Sequence, residues 1–170
     1  AEGCYVIPGL VDIHFHGCVR HDMCDGTEES IQALADYEAA NGVLAICPAT
    51  MTIPEEELFQ AMKAAKEHKN GKGADLIGIN MEGPFISPIK KGAQDERNII
   101  PCNEEIAQRF LDASDYLVKF LGIAPEESAN AVSFIKNMKD KVNISLAHTN
   151  ASYEAAKAAL DAGANHIVHL

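Results

Sequence analysis

The sequence lacks several features that would assign it to a class of protein at once. No apolar run approaches the ~20 residues of a membrane-spanning helix, and no basic segment followed by an apolar stretch indicates a secretory signal. Positive charge is scarce, since 14 Lys and Arg stand against 25 Asp and Glu, a net charge of −11. Binding to nucleic acid or to an anionic membrane relies on clustered Lys and Arg. We therefore expect neither kind of partner.

The cysteines lack the spacing of a structural site. There are five, an odd number, and no C-x-x-C pair occurs among Cys4, Cys18, Cys24, Cys47 and Cys102. This pattern argues against both a disulfide framework and a zinc knuckle. Free thiols in a reducing compartment are the simplest interpretation, and with no secretory signal we expect a cytoplasmic protein.

Nucleotide-binding loops are also missing from an otherwise ordinary globular sequence, 47% of which is hydrophobic. Short apolar runs alternate with segments of helical periodicity. Six strands and five helices in alternation predict a parallel sheet with right-handed crossovers, either an open doubly wound sheet or a (β/α)8 barrel. The doubly wound dinucleotide fold needs G-x-G-x-x-G after its first strand, but residues 16–20 read His-Gly-Cys-Val-Arg. The predicted strands are the second half of residues 5–16, followed by 43–47, 75–81, 117–123, 144–147 and 166–170.

One helix start carries a specific signature. Thr52 and Glu55 have the spacing of a capping box, with a proline in the first turn. We therefore expect the Thr52 side chain to cap the second helix.

Four histidines and one carboxylate fall at the predicted carboxyl ends of strands. His14 and His16 are two residues apart on strand one, so their side chains point to the same face. Glu82 closes strand three, His148 closes strand five and His169 is near the end of strand six. In a barrel these ends meet where active sites are built. Imidazole and carboxylate are suitable ligands for zinc, iron or manganese, so the pattern predicts a divalent metal site.

Other candidate ligands do not fit this pattern. His21 lies in a predicted polar loop, His68 ends a helix, and His166 faces away from His169 on a strand. Lys119 on strand four suggests the carbamylated lysine of some metallohydrolases, but Glu82 already offers a bridging carboxylate. We expect all four to be structural.

The same segments resemble a known family. Residues 8–17, Pro-Gly-Leu-Val-Asp-Ile-His-Phe-His-Gly, resemble the strand-one signature of the amidohydrolase superfamily, metal-dependent hydrolases on (β/α)8 barrels. Residues 81–85 (Met-Glu-Gly-Pro-Phe), 90–94 (Lys-Lys-Gly-Ala-Gln), 147–152 (Ala-His-Thr-Asn-Ala-Ser) and 166–170 (His-Ile-Val-His-Leu) are similar to N-acetylglucosamine-6-phosphate deacetylases. The resemblance runs from about Tyr5 to Leu170 with the motifs in family order.

The resemblance implies roles for the site residues. Glu82, His148 and His169 match the main metal ligands, and His14 and His16 match ligands of a second ion present in some members, so one or two ions are expected. Ala93 and Gln94 match a loop that contacts the sugar. Some members carry histidine where Gln94 stands, and there it helps to polarise the acetamide carbonyl. Because glutamine donates a hydrogen bond but does not titrate near neutrality, we expect orientation and polarisation from Gln94 rather than proton transfer.

The implied reaction belongs to amino-sugar catabolism. It is hydrolysis of N-acetylglucosamine 6-phosphate to acetate and glucosamine 6-phosphate. In the family the proton acceptor is an aspartate on strand eight, so no catalytic residue is expected in this chain. Two alternatives remain open, namely another amidohydrolase acting on a cyclic amide or a deaminase substrate, and an inactive metal-binding barrel fragment.

The length of 170 residues is short for the implied fold. A (β/α)8 barrel typically needs ~250 residues, whereas five βα units and a sixth strand are predicted here. We therefore expect residues 1–170 to be a partial TIM-barrel catalytic domain of α/β class, with about the first six strands. Strands seven and eight, the phosphate-binding residues and a small β-sandwich part would then lie outside it. Full-length family members are commonly homodimers.

Overall fold

Helices and strands alternate along the chain in the computed structural model, which describes residues 2–169. Within that range no helix is both long and apolar enough to cross a membrane. Leu170, which the sequence places in the sixth strand, lies outside the described residues. The helices are α1 (Glu28–Ala40), α2 (Glu55–Glu67), α3 (Glu104–Ala113), α4 (Ala131–Met138) and α5 (Tyr153–Ala162).

The strands confirm the expected α/β class. They are β1 (Leu10–Asp12), β2 (Gly17–Cys18), β3 (His21–Asp22), β4 (Val43–Ile46), β5 (Ala49–Thr50), β6 (Asp75–Leu76), β7 (Ile79–Phe85), β8 (Val118–Ile123), β9 (Asn143–Leu146) and β10 (His166–Ile167). Two parallel sheets have the orders β1-β4-β6 and β10-β9-β8-β7-β5. Because β5 follows β4 and β7 follows β6 along the chain, the two sheets are successive parts of one curved layer. Counting β4 with β5 and β6 with β7 as interrupted strands, the layer has six strands. Their spatial order is their order in the sequence, as in six consecutive strands of a (β/α)8 barrel.

Predicted strands two and three are each interrupted. Pro48 separates β4 from β5, since it has no N–H for the ladder, although its carbonyl accepts a hydrogen bond from the N–H of Asn80 at 2.9 Å. Gly78 separates β6 from β7 at a close approach, where a Cβ would lie 2.4 Å from Cγ of Lys119. Before the interruptions β4 pairs with β1 and β6, and after them β7 pairs with β5 and β8.

A short antiparallel hairpin was not predicted. Gly17 and Cys18 of β2 pair with Asp22 and His21 of β3, so His21 lies on a strand and not in a loop. The turn places Val19 and Arg20 at φ 46° and 68°. Turns of this kind usually carry Asn-Gly or Asp-Gly, and the absence of that signal hid the hairpin.

The core lies between the sheet layer and the helices. Phe85 of β7 and Phe134 of α4 are fully buried and pack edge to face, with ring centroids 5.5 Å apart. On the open side of the layer β1 and β10 are the outermost described strands, and Leu10 and Val11 of β1 are each 55% exposed. The side of the layer that faces the helices is therefore a fully buried core, whereas apolar side chains of β1 remain exposed to solvent.

Truncating the central aromatic pair should destabilise the fold. We expect Phe134→Ala to lower the free energy of unfolding by about 3–5 kcal/mol, since it removes transfer energy and leaves a cavity. The matched control is Val132→Ala on the exposed side of the same helix, which should change it by about 0.5 kcal/mol or less. Urea unfolding followed by circular dichroism measures both, and equal losses would contradict this placement of the core.

Candidate metal centre

Glu82 of β7 is the point on which the histidines converge. Glu82 is only 3% exposed. Its Oε1 lies 2.6 Å from Nε2 of His169, 2.9 Å from Nε2 of His148 and 3.3 Å from Nε2 of His14, and its Oε2 lies 3.1 Å from Nε2 of His16. The structure thus brings the four predicted histidine ligands together around the fifth, the carboxylate of Glu82.

The sequence suggested that His14 and His16 lie on the first strand. In the structure both residues follow the end of β1. The strand ends at Asp12, whose Oδ1 accepts a hydrogen bond from the backbone N–H of His14 at 2.9 Å. This local bond competes with the sheet ladder for the N–H. The chain therefore leaves the strand one residue before His14, and both rings still reach Glu82.

His148 and His169 reach the site from left-handed backbone positions just beyond β9 and β10. Their φ values are 44° and 59°. Such conformations cost of order 1–3 kcal/mol in non-glycine residues and persist only when neighbouring contacts hold them. At His148 the N–H of Ser87 donates to its carbonyl at 3.0 Å, and Oγ1 of Thr149 donates to Glu126 at 2.6 Å. These bonds fix the turn that aims the His148 ring at Glu82.

The hydrogen-bond geometry of His148 fits a cation in the cluster. Its Nδ1 lies 2.8 Å from the carbonyl oxygen of Lys90, which only accepts, so Nδ1 carries the hydrogen. In the neutral ring Nε2 is then bare, and this buried atom has no hydrogen-bond partner while it faces Oε1 of Glu82. Two facing lone pairs at 2.9 Å repel unless a positive charge lies between them. A divalent metal ion supplies that charge.

The spacing of the donor atoms suits the same interpretation. The ligand atoms of His14, Glu82 and His169 all lie within 4.8 Å of one another. Around a four-coordinate zinc ion with bonds of about 2.0–2.2 Å, neighbouring ligand atoms stand roughly 3.3–3.6 Å apart. The cluster therefore needs only small adjustments to hold an ion.

The histidines keep the Glu82 carboxylate ionised. Burial favours the neutral acid of Glu82, but its close contacts with the surrounding histidine rings outweigh that effect and hold the pKa of Glu82 far below its usual range. The hydrogen bond to Glu82 in turn raises the pKa of His16, although desolvation opposes that rise. Glu82 is therefore an anion at neutral pH, as a metal ligand must be.

Asn80 was missed by the sequence analysis. Its Nδ2 donates to the carbonyl of Ile13 at 2.8 Å and lies 3.2 Å from Nδ1 of His14. Asn80 therefore contacts both the backbone before His14 and the ring of His14. Asn80 precedes Glu82 by two residues on β7, so the period-two rule for strands points to it.

Thr52 does not cap helix α2, so that prediction is wrong. The helix has Pro54 at its N-cap and no side-chain cap bond. Instead Oγ1 of Thr52 donates to the backbone carbonyl of Glu82 at 2.9 Å, and its N–H donates to Oε1 of Gln94 at 2.5 Å. A tertiary bond to the site has replaced the local cap.

The two residues of the expected sugar loop have different surroundings. Ala93 is exposed, whereas Gln94 is 2% exposed and its Nε2 donates to Oε2 of Glu82 at 2.8 Å. Contact of either residue with a sugar stays a prediction.

The residues set aside as structural have other partners. His21 bonds Ser30, His68 bonds Glu28, and the ring of His166 packs on Phe120 with centroids 4.9 Å apart. Nζ of Lys119 donates to the carbonyl of Tyr116 at 2.8 Å. None of these contacts involves Glu82.

Comparison with known proteins identifies close architectural relatives. The model of the amidohydrolase family matches residues 5–170. N-acetylglucosamine-6-phosphate deacetylase of Bacillus subtilis is 32% identical over 171 residues, covering 97% of this chain and 43% of the relative. N-acetylgalactosamine-6-phosphate deacetylase of Escherichia coli is 30% identical, covering 95% of this chain and 44% of the relative.

Solved structures similar to this chain are also deacetylases of this kind. The crystal structure of N-acetyl-D-glucosamine-6-phosphate deacetylase from Mycobacterium smegmatis superposes with a TM-score of 0.89 at 28% identity, covering 96% of this chain and 43% of that one. A mutant of that enzyme in complex with N-acetyl-D-glucosamine-6-phosphate superposes equally well, with a TM-score of 0.89 at 28% identity, and covers 96% of this chain and 42% of its own. The chain spans less than half the length of each of these proteins.

Metal content tests the ligand set. Elemental analysis of the folded protein should find up to two transition-metal ions per chain, and the double variant Glu82→Ala/His148→Ala should lose them because it removes the shared carboxylate and a bare nitrogen. His68→Ala, a histidine bonded to Glu28 and not to Glu82, is the matched control and should keep the metal. Unchanged metal in the double variant would refute the assignment.

Proposed function

The chain belongs to the amidohydrolase family, and from that premise we propose that the protein containing it is a metal-dependent deacetylase of N-acetylglucosamine 6-phosphate. The observation that carries the proposal is the buried Glu82 carboxylate with four imidazoles against it. The activities named for its relatives in Bacillus subtilis and Mycobacterium smegmatis support the choice of substrate. The expected products are acetate and glucosamine 6-phosphate, in amino-sugar catabolism.

We assign the metal to two groups of ligands. Glu82, His148 and His169 would hold the main ion, and His14 and His16 a second one where two are bound. Zinc, iron or manganese suits these nitrogen and oxygen donors. When bound, such an ion lowers the pKa of water towards ~7 and polarises a carbonyl group.

The residues of this chain bind and orient. The carbonyl of Lys90 fixes the tautomer of His148, which leaves Nε2 free to act as a ligand. The ionised Glu82 offsets the positive charge of the site. Ala93, on the exposed loop after β7, is proposed to contact the sugar. The proton acceptor is assigned to an aspartate on strand eight, as the resemblance implies, and not to any residue of this chain.

The rest of the protein follows from the same proposal. Strands seven and eight would close a TIM barrel beside β1, which accounts for the exposed Leu10 and Val11, and a small β-sandwich part would complete the protein. We propose a homodimer in the cytoplasm, without nucleic-acid or membrane partners. The net charge of −11 supports the lack of such partners, and the five free cysteines support the location.

A second substrate has an observation in its favour. The Escherichia coli relative is named for N-acetylgalactosamine 6-phosphate and is 30% identical to this chain. The two sugars differ only in the configuration of one hydroxyl, so hydrolysis rates on both must be compared.

Activity tests the proposal. The full-length protein should release acetate from N-acetylglucosamine 6-phosphate, and His148→Ala should lower kcat/KM by more than about 100-fold, because even the outer partners of metal ligands contribute 10–100-fold. His68→Gln should keep the activity. Metal binding without acetate release from either sugar phosphate, but with turnover of a cyclic amide or a deaminase substrate, would refute the deacetylase proposal in favour of another amidohydrolase.

The 170-residue chain by itself should release no acetate, because the assigned proton acceptor lies on strand eight. A colorimetric acetate assay of the purified chain, beside the full-length protein, measures this. Turnover by the short chain would show that the proton acceptor lies within residues 1–170.

A further inference from the structure

Gln94 has no free polar group to offer a substrate. Its side-chain Nε2 donates to Oε2 of Glu82 at 2.8 Å and lies 3.6 Å from Sδ of Met51, while its Oε1 accepts from the N–H of Thr52 at 2.5 Å. With the residue only 2% exposed, both ends of the amide are committed within the protein.

Thr52 ties this amide to the backbone of Glu82. Its N–H holds Gln94, and its Oγ1 donates to the carbonyl of Glu82 at 2.9 Å. Gly83 makes the approach possible, since a Cβ there would lie 2.0 Å from Oγ1 of Thr52 and φ is +104°. Thr52, Gln94 and Glu82 therefore form a closed ring of hydrogen bonds, which we call the carboxylate clamp.

The carboxylate clamp distinguishes the two oxygens of Glu82. Oε1 faces the rings of His14, His148 and His169, whereas Oε2 faces His16 and the amide of Gln94. The terminal torsion of a glutamate side chain is broad and only weakly restrained by itself. A donor held on one oxygen fixes the plane of the carboxylate and directs the other oxygen at the histidines.

An amide suits this task better than a titrating group. Its N–H₂ donates at every pH, so the orientation of Glu82 does not depend on the protonation of a neighbour. Hydrogen bonds of this kind to metal-ligating carboxylates typically contribute 10–100-fold in metal affinity.

We infer that Gln94, held by Thr52, is a positioning residue that orients Glu82 for metal binding, and not a residue that polarises the substrate. The inference rests on the proposed function only in that the cluster binds a divalent ion.

Metal affinity of the full-length protein tests the inference. Zn²⁺ dissociation constants are measured by competition with a chromophoric chelator, and Co²⁺ absorption spectra report ligand geometry. Gln94→Met, which keeps the length and removes the donor, should raise the dissociation constant 10–100-fold and alter the Co²⁺ spectrum. Thr52→Val should raise it about three- to tenfold, and Thr52→Ser, which keeps the hydroxyl, should restore it.

The matched control is Thr50→Val. Thr50 is as buried as Thr52 and two residues away, but its Oγ1 has no hydrogen-bond partner. This variant should bind Zn²⁺ within twofold of the unchanged protein, and an equal loss in it would attribute the effect to packing and overturn the inference.

The remaining outcomes also decide. Should Gln94→Met fail to fold, Gln94→Leu, which also removes the donor on Oε2 of Glu82, carries the test in its place. Unchanged Zn²⁺ affinity in Gln94→Met and Thr52→Val, together with a raised KM for the sugar phosphate, would overturn the positioning role and assign Gln94 to the substrate. Absence of metal binding by the unchanged protein would overturn the proposed function itself.

Discussion

Burying an ionised carboxylate costs several kcal/mol unless other groups pair with it, and Glu82 is almost fully buried. Two kinds of contact offset this desolvation cost. Four imidazoles stand against its oxygens, and the amide of Gln94 donates to Oε2. The bare Nε2 of His148 shows that these groups do not by themselves balance the site, because a lone pair faces a carboxylate oxygen. The polar end of the sheet is therefore arranged for a cation.

That arrangement depends on the sheet, since the groups come from distant parts of the chain. Parallel strands in sequential order bring their carboxyl ends to one edge, where β1, β7, β9 and β10 each deliver one or two side chains. The histidines that follow these ends meet the carboxylate of Glu82. Gly83, which has no Cβ, lets the side chain of Thr52 approach the backbone of Glu82.

The sequence predicts the strand alternation and the convergence of His14, His16, Glu82, His148 and His169, because both follow from hydrophobic periodicity and the geometry of parallel strands. It does not predict contacts that replace a local rule with a tertiary one. Thr52 has the spacing of a helix cap, yet it bonds Glu82 and Gln94 instead. The hairpin at residues 17–22 was hidden because Val19 and Arg20 adopt left-handed φ angles without the usual turn residues. Gln94 matches a sugar contact by resemblance, and its bond to Glu82 is visible only in the 2.8 Å distance between its Nε2 and Oε2 of Glu82.

The wide separation of the ligand residues along the chain has a consequence for how the site is made. Glu82 and His169 are 87 positions apart in sequence, and no single βα unit contains a pair of groups from different strand ends. Contacts of such high sequence separation form only after the intervening loops have paid their closure entropy. On a ribosome, where the amino-terminal units fold first, β10 must emerge and dock before His169 meets Glu82. On the proposed ligand assignment, metal uptake would report the completion of this half of the layer, and a nascent chain halted earlier would present only part of the ligand set.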